Sequence, residues 1–481
     1  MQVSPTSEQH FDGWSATSRL MPHQVSAVTK LLPSRVGALF MEMGTGKTRT
    51  AFELMRIRQS KISRVIWFCP VTLKATICRE ILKHTTLSAR DIYVFDDKTR
   101  EDVVPLNCTI YVVGIESMSS SARALYAVMQ LIDDRAFVVV DESTFIKGHS
   151  AIRTRRITRI AEPARYRLIM TGTPITQGAV DLFGQMRFLS EKILGYKSFY
   201  TFANNHLIYS KRHLGQIVGT CNVEWLAERM RPYVYQVTKA ECLSLPDKIF
   251  DNYYCDLSHE QKAAYHQAKE DFAEDLLSYF DDRDDGLQNG IAIFRLFSRL
   301  QAISCGTNDG QPLTHLRLDL LKAVMADVTD THVVIFCKHV RSIDEIADWL
   351  RDAGQAHYVI DGRVSEKVRD GIQQEWVRCG GSLILTQGVG GHGLDLTAAA
   401  TVVFYSSGFK YSERVQAEDR CHRIGQARPV TYISLWANCG IEDRIQAALH
   451  SKGNALAILR KRIDAIKGGG KEAIKRFIMS M

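Results

Sequence analysis

No Cys-x-x-Cys pair occurs in this 481-residue chain, although it carries eleven cysteines. Cys421-His422 is the only adjacent soft pair, and no second pair stands at metal spacing. A zinc site and a disulfide framework are therefore not expected; reduced thiols in an intracellular protein are. No apolar run approaches the ~18 residues that a membrane span needs, so no membrane partner is expected. The first residues, MQVSPTSEQHFDGW, lack the basic-then-apolar order of a secretion signal. No solenoid period recurs. A content of 45% hydrophobic and 24% charged residues excludes a disordered chain.

The length is too great for one ordinary core and suits two domains of roughly 200 residues plus small additions. A net charge of +8 fits a nucleic-acid partner without being diagnostic of one. The end of the chain is more basic, with Lys452, Arg460, Lys461, Arg462, Lys467, Lys471, Lys475 and Arg476. That stretch reads equally as a solvated helix face or a phosphate contact. The GGG at 468–470 should release the last residues as a loose tail.

Short apolar, β-branched runs alternate with helical patterns through 36–170. They are Val36–Met41, Arg64–Pro70, Thr109–Val113, Phe137–Val140 and Tyr166–Thr171. The pattern returns at 332–338, 357–361, 382–387, 401–405 and 430–435. Strands separated by helices predict an α/β chain with two doubly wound parallel sheets, one in each lobe. The region between, about 186–320, reads as helical, with apolar positions at 3–4 spacing over Gln261–Phe280 and Ile291–Ile303. The acidic run DDRDDGLQNG at 281–290 is a solvated loop tip in this reading.

Three elements carry chemistry. Gly44-Thr-Gly-Lys47-Thr48 follows the strand ALFMEM and opens a helical stretch. Glycines let backbone N–H groups approach phosphate oxygens, and a helix N-terminus favours negative charge. Lys47 would reach the β- and γ-phosphates of ATP, and Thr48 would ligate Mg²⁺. The strict pattern has glycine where this chain has Met41. The apolar run at 137–140 leads straight into Asp141-Glu142. A buried strand ending in two acids presents them at the sheet edge where α/β ligands bind. Asp141 would hold Mg²⁺, and Glu142 would orient or deprotonate the attacking water. In Gln416-Ala-Glu-Asp-Arg420-Cys-His-Arg423-Ile-Gly-Gln426, two arginines three apart are expected on one helical face. An inserted guanidinium stabilises charge building on a transferring phosphoryl group. Either of the last two elements taken alone would be ordinary surface.

Together, and in this order, these motifs resemble the Swi/Snf-type ATPases of helicase superfamily 2 over about residues 18–450. QAEDRCHRIGQ is close to that family's arginine motif, especially in its annealing-helicase branch. Leu20-Met-Pro-His-Gln24 looks like the adenine-reading segment, with Gln24 the implied base contact. EMGTGKT looks like motif I, with Gly44, Thr45 and Gly46 at the phosphates. Pro70–Leu73 looks like motif Ia, Asp141–Thr144 with Lys147 like motif II, and Thr171–Pro174 like motif III. VVIFCK at 333–338 is similar to motif IV, and 386–397 to motif V, which puts Gly393 and Asp395 at the nucleotide. LSLPDK at 243–248 matches the family's linker. Thr144 replaces the usual His of motif II, Ile77 and Phe409 stand where relatives have Trp, and Asp395 sits at a common Asn position. These departures touch coupling and DNA grip; no group needed for phosphate chemistry is missing.

The resemblance implies two tandem RecA-like lobes with a helical protrusion. Residues 1–240 would form the ATP-binding lobe, with a helical insertion at about 186–235. Residues 241–450 would form the second lobe, with a protrusion at about 259–305, and 451–481 a basic helix and tail. It also implies contacts to the backbone of one strand of duplex or branched DNA by Thr72, Lys74, Lys338, Thr386 and Gly388. Such contacts grip phosphates without reading sequence. The expected activity is ATP-driven movement along double-stranded DNA. The alternatives are a strand-separating helicase and a nucleotide-gated DNA clamp with weak hydrolysis. No bromodomain-like, chromodomain-like or zinc-binding appendage is recognisable, so targeting would depend on protein partners, DNA structure or the tail. The compartment would be the cytoplasm of a prokaryotic or virus-infected cell, or a nucleus.

Overall fold

In a computed structural model of the chain, the described residues are 13–175, 178–210, 217–279, 286–390, 394–451 and 476, 478 and 479. Gly393, the 281–285 part of the acidic run, and the basic stretch from Lys452 to Lys475 with its glycines lie outside them. The chain divides into two compact units, Met1–Ser244 and Leu245–Met481.

The first unit is built on a seven-stranded sheet. Its strands are β1 (Val36–Met41), β2 (Arg64–Cys69), β3 (Ile92–Val94), β4 (Ile110–Gly114), β5 (Ala136–Asp141) and β6 (Tyr166–Met170). After a small antiparallel hairpin of β7 (Leu207–Tyr209) and β8 (Ile217–Thr220) comes β9 (Val234–Val237). The spatial order is β3-β4-β2-β5-β6-β1-β9, and every pairing is parallel. All six residues of β5 are buried. A parallel strand covered by helices on both faces demands that continuous apolar run in place of alternation. Two apolar clusters cover the two faces, one around Phe68, Tyr111 and Phe183, the other around Trp67, Phe52 and Phe137.

The second unit repeats the plan with six strands. Here β10 (Lys248–Cys255) leads; the small hairpin β11 (Thr307–Asn308) and β12 (Gln311–Pro312) follows. Then come β13 (His332–Cys337), β14 (His357–Ile360), β15 (Gly381–Thr386), β16 (Thr401–Phe404) and β17 (Val430–Ala437). The order β10-β17-β16-β13-β15-β14 is again all parallel. Two long helices, His259–Tyr279 and Gly286–Ser304, lie between β10 and the β11–β12 hairpin. A buried ion pair fastens this core: Arg317 and Glu442 meet at 3.1 Å, and Arg317 Nη1 also donates to the carbonyl of Tyr405 at 2.6 Å.

The two parallel sheets and all ten expected strands are present. The stretch at 186–320 departs from its helical expectation, because β7 to β12 lie within it. Both β9 and β10 are edge strands of their sheets. Edges are half-wet, so their sequences (VYQV and KIFDNYYC) carry no continuous apolar run to announce them. Among the described residues, no helix is long and apolar enough to cross a membrane. All eleven cysteines are free thiols.

Candidate active site

Four of the first unit's segments expected to carry chemistry leave the C-terminal edge of its sheet. β1 runs into the glycine loop, β2 into Pro70–Leu73, β5 into the acid pair and β6 into Thr171–Pro174. In parallel sheets this edge is where strand ends, loops and helix N-termini converge on a ligand.

The glycine loop is shaped by backbone that glycine alone adopts easily. Gly44 and Gly46 have φ of 79° and 82°, and Gly46 is the N-cap of the helix Lys47–Arg58. A Cβ at Gly46 would collide with the Gln24 amide. The loop is gripped from behind by two buried side chains. Gln24 Nε2 donates to the carbonyls of Thr45 and Gly46 at 3.4 and 3.3 Å, and its Oε1 accepts from the Met21 N–H at 2.8 Å. His23 Nε2 lies 2.7 Å from the Thr45 carbonyl. Thr45 Oγ1 donates to the Glu42 carbonyl at 2.7 Å, and Lys47 Nζ donates to the carbonyls of Met41 and Glu42 at 2.9 and 3.3 Å. The Glu42 carboxylate accepts from the Lys239 N–H at 2.7 Å, which ties the loop to the chain leaving β9. Thr48 is the second residue of the helix and half-buried.

Asp141 ends β5 with its side chain buried. Burial, then the negative charge of Glu142, pushes its carboxyl up to about 7, against the pull of Lys47. Glu142 is one of few non-glycine residues in left-handed backbone, with φ 49°. Such a conformation costs on the order of 1–3 kcal/mol and persists only where surrounding contacts enforce it. Glu142 Oε2 accepts from Thr171 Oγ1 at 3.3 Å, and the next residue, Ser143, donates to Gln185 Oε1 at 2.6 Å. Gln185 Nε2 donates to the carbonyls of Pro174 and Asp181, both at 2.8 Å. Lys147 pairs with Asp181 at 3.4 Å. Gly184 admits this arrangement, because a Cβ there would lie 2.5 Å from the Ile146 carbonyl. The acid pair, the 171–174 turn and the helix Val180–Leu189 thus form one hydrogen-bonded block.

In the second unit, Lys338 follows β13, Thr386 closes β15, and Gly388 follows in the short helix Gln387–Gly390, all at the C-terminal edge of that sheet. The Lys338 N–H donates to Ser406 Oγ at 2.8 Å, and a Cβ at Gly388 would meet open space. In the first unit Thr72 is exposed, whereas Lys74 Nζ donates to the Phe95 carbonyl at 2.7 Å. Asp395 is exposed and closes a turn by accepting from Thr397 N and Oγ1 at 3.2 and 2.9 Å.

The arginine element needs a correction. Arg420 lies on the helix Tyr411–Cys421, but Arg423 does not share its helical face. The helix stops at Cys421, and the chain turns at His422 (ψ 80°) and again at Gly425 (φ 105°). The turn is held by Gln426, whose Nε2 donates to the carbonyls of Thr397, Ala399 and Cys421. Its residue types, Gly425 above all, were the available signal. Arg423 Nε is buried without a hydrogen-bond partner among the described residues.

Sequence reasoning also missed a tether between the arginine element and the segment entering the second unit. His422 Nε2 lies 2.7 Å from the Pro246 carbonyl, and Lys248 Nζ reaches Glu418 at 3.2 Å and Asp419 at 3.5 Å. These partners are about 170 residues apart in sequence, so no local pattern could reveal them.

The chain matches the model of the SNF2-related domain over residues 23–307 and that of the helicase conserved C-terminal domain over residues 317–425. It is 26% identical over 469 residues to the human DNA annealing helicase and endonuclease ZRANB3, covering 94% of this chain and 42% of that protein. It is 25% identical over 335 residues to an uncharacterized ATP-dependent helicase of Mycoplasma pneumoniae, covering 69% of this chain and 31% of that protein. The chain therefore spans well under half the length of these curated relatives. The Hef helicase domain of Pyrococcus furiosus shares the fold, with a TM-score of 0.55 at 14% identity, over 90% of this chain and 98% of that one.

Proposed function

The chain belongs to the SNF2-related family, and on that premise we propose that it is an ATP-hydrolysing motor that moves along double-stranded DNA. One observation carries the reading most: Lys47 and the acid pair share one sheet edge, with Glu142 held in costly left-handed backbone. Strain maintained at that point is a mark of a working site.

The residues fit Mg²⁺ and ATP. Asp141 is a buried carboxyl raised by its own burial and by Glu142, which is the environment an added cation relieves. Among the described residues no group of three or more His, Cys, Asp or Glu could hold a metal. The ion would therefore take Thr48 and Asp141 and complete its shell from phosphate and water, as Mg²⁺ does. When bound, it neutralises charge developing on the phosphates. In this proposal Gly44, Thr45 and Gly46 present their N–H groups to the phosphates, and Lys47 grips the terminal ones. Gln24 serves the loop and the adenine, with Asp395 and Gly393 contributing from the second unit. Glu142 orients the attacking water and takes its proton, while Thr171 fixes that carboxylate. Arg420 and Arg423 supply the charge that stabilises the transition state, a role worth about 10³–10⁵ in rate where it is known. Thr72, Lys74, Lys338, Thr386 and Gly388 hold the DNA backbone, and the compartment is wherever that DNA lies.

ATP turnover measured with no nucleic acid, single-stranded DNA, duplex DNA, forked DNA and RNA tests this reading. Duplex DNA should stimulate most, and a triplex-forming strand should be displaced without unwinding of a fork. Lys47→Ala and Glu142→Gln should each abolish stimulated turnover. Arg423→Ala should lose turnover and keep ATP binding. Turnover at background with every DNA would replace the motor by a nucleotide-gated clamp.

A further inference from the structure

The helix Ile152–Ile160, which follows the acid-pair segment, reads IRTRRITRI. It carries four arginines, and no carboxylate occurs between Glu142 and Glu162. Apolar burial explains one face only, because Thr154, Ile157 and Ile160 point into the core. Arg155 and Arg159 are exposed, and neither has a carboxylate partner among the described residues. With Ile152 and Arg156 they line a shallow surface groove. Ordinary solvated helices intersperse both signs of charge, and this one does not.

Its neighbours give the patch a direction. Arg156 Nη1 donates to the carbonyls of Met118 and Ser119 at 2.9 and 3.2 Å, which pins the basic helix to the short helix Ser117–Ser120 at the end of β4. Ser119 and Ser120 are exposed there. Glu116, at the start of that helix, spends its carboxylate on the Val71 N–H at 3.0 Å, and β4 ends so close to Val71 that a Cβ at Gly114 would lie 2.6 Å from it. Thr72 is the next residue. The exposed Thr72, Ser119, Ser120, Arg155 and Arg159 therefore lie on three segments of the first unit that touch one another in that order. Residues four apart on a helix advance about 6 Å, close to the roughly 6.8 Å that two nucleotide steps of one strand advance.

We propose that Arg155 and Arg159 form a second, sequence-indifferent contact with the phosphate backbone of duplex DNA, extending the series of exposed residues that begins at Thr72. The proposal rests on the DNA-motor reading above. Arginine and hydroxyl groups without base-reading partners suit phosphates, and a motor gains grip from them without losing indifference to sequence.

The test is the salt dependence of duplex binding by the full chain and by Arg155→Gln/Arg159→Gln. Each phosphate contact contributes about 0.9 to the slope of log affinity against log salt, so the variant should lose about 1.8 from it. At 0.1 M salt that counterion term corresponds to about eightfold per contact relative to 1 M. The weakening should be equal for A·T-rich and G·C-rich duplexes, and hydrogen exchange of the β5 amides should match that of the unsubstituted chain. Binding by the unsubstituted chain with an unchanged slope in the variant overturns this surface alone. Loss confined to one base composition overturns the phosphate assignment. Absence of duplex binding by the unsubstituted chain overturns the motor reading and this surface together.

Discussion

Replacing Gln185 by Leu probes the block that joins the acid pair to the Thr171–Pro174 turn. Gln185 and Ser143 are both fully buried. The substitution preserves bulk and helix propensity, but it leaves the Ser143 hydroxyl and the Pro174 carbonyl without the partners they have at 2.6 and 2.8 Å. A buried polar group stripped of its partner costs about 1–3 kcal/mol. Two such groups, offset in part by the added apolar burial, give a net loss of about 2–4 kcal/mol. Ser143→Ala should cost about 1–3 kcal/mol alone, because it orphans Gln185 Oε1. The double variant should be more stable than the sum predicts, with a coupling on the order of 1–2 kcal/mol, because the hydroxyl and its acceptor leave together. The two units can unfold separately, so a single whole-chain transition is not a safe readout. Hydrogen exchange of the β5 amides reads the stability of the first unit by itself. A loss below about 0.5 kcal/mol for Gln185→Leu, or strict additivity in the cycle, would refute the claim that this network holds the acid pair in place.

Two more outcomes follow from side chains in the second unit. His339 sits just past β13 with Nε2 buried and unpartnered among the described residues, and burial, then the charges of Lys338 and Arg317, push its pKa from 6.5 down to about 4. The unfolded chain therefore takes a proton that the folded unit refuses, so this unit is at full strength above about pH 6.5 and loses at most about 3 kcal/mol as pH falls toward 4. Denaturation across that range should show the loss, and His339→Leu should flatten it; an equally steep acid limb in the variant would contradict the assignment. His422→Ala and Lys248→Met cut the tether between the linker segment and the arginine element. Each should lower kcat for ATP several-fold while leaving KM for ATP near normal, and His422→Gln should recover part of the loss; a change in KM alone would mean the tether does not position the arginines.

Much of the fold is legible in the sequence. β5 reads as a strand because a run of Phe and Val is satisfied by burial on both faces, which a parallel strand covered by helices supplies. The glycine loop is legible for a similar reason: glycines at 44 and 46, between a strand and a helix, are what a turn with positive φ at both positions requires. β9 and β10 were hidden because edge strands are half-wet and their composition is ambiguous. The end of the arginine helix is not legible from i,i+3 spacing, because Gly425 with positive φ and the turn held by Gln426 stop the helix at Cys421.

By itself, the order of residues determined which segments are the central strands, where the glycine turn lies between strand and helix and which family the chain joins, since these depend on local stereochemistry and on patterns a few residues long. Tertiary structure alone decided that Gln24 and His23 brace the glycine loop, that Gln185 locks Glu142's neighbour to the 171–174 turn, and that Pro246 and Lys248 hold the arginine element. Those contacts join residues from tens to well over a hundred positions apart, and only the closing of each sheet and its helices brings the partners within hydrogen-bond reach.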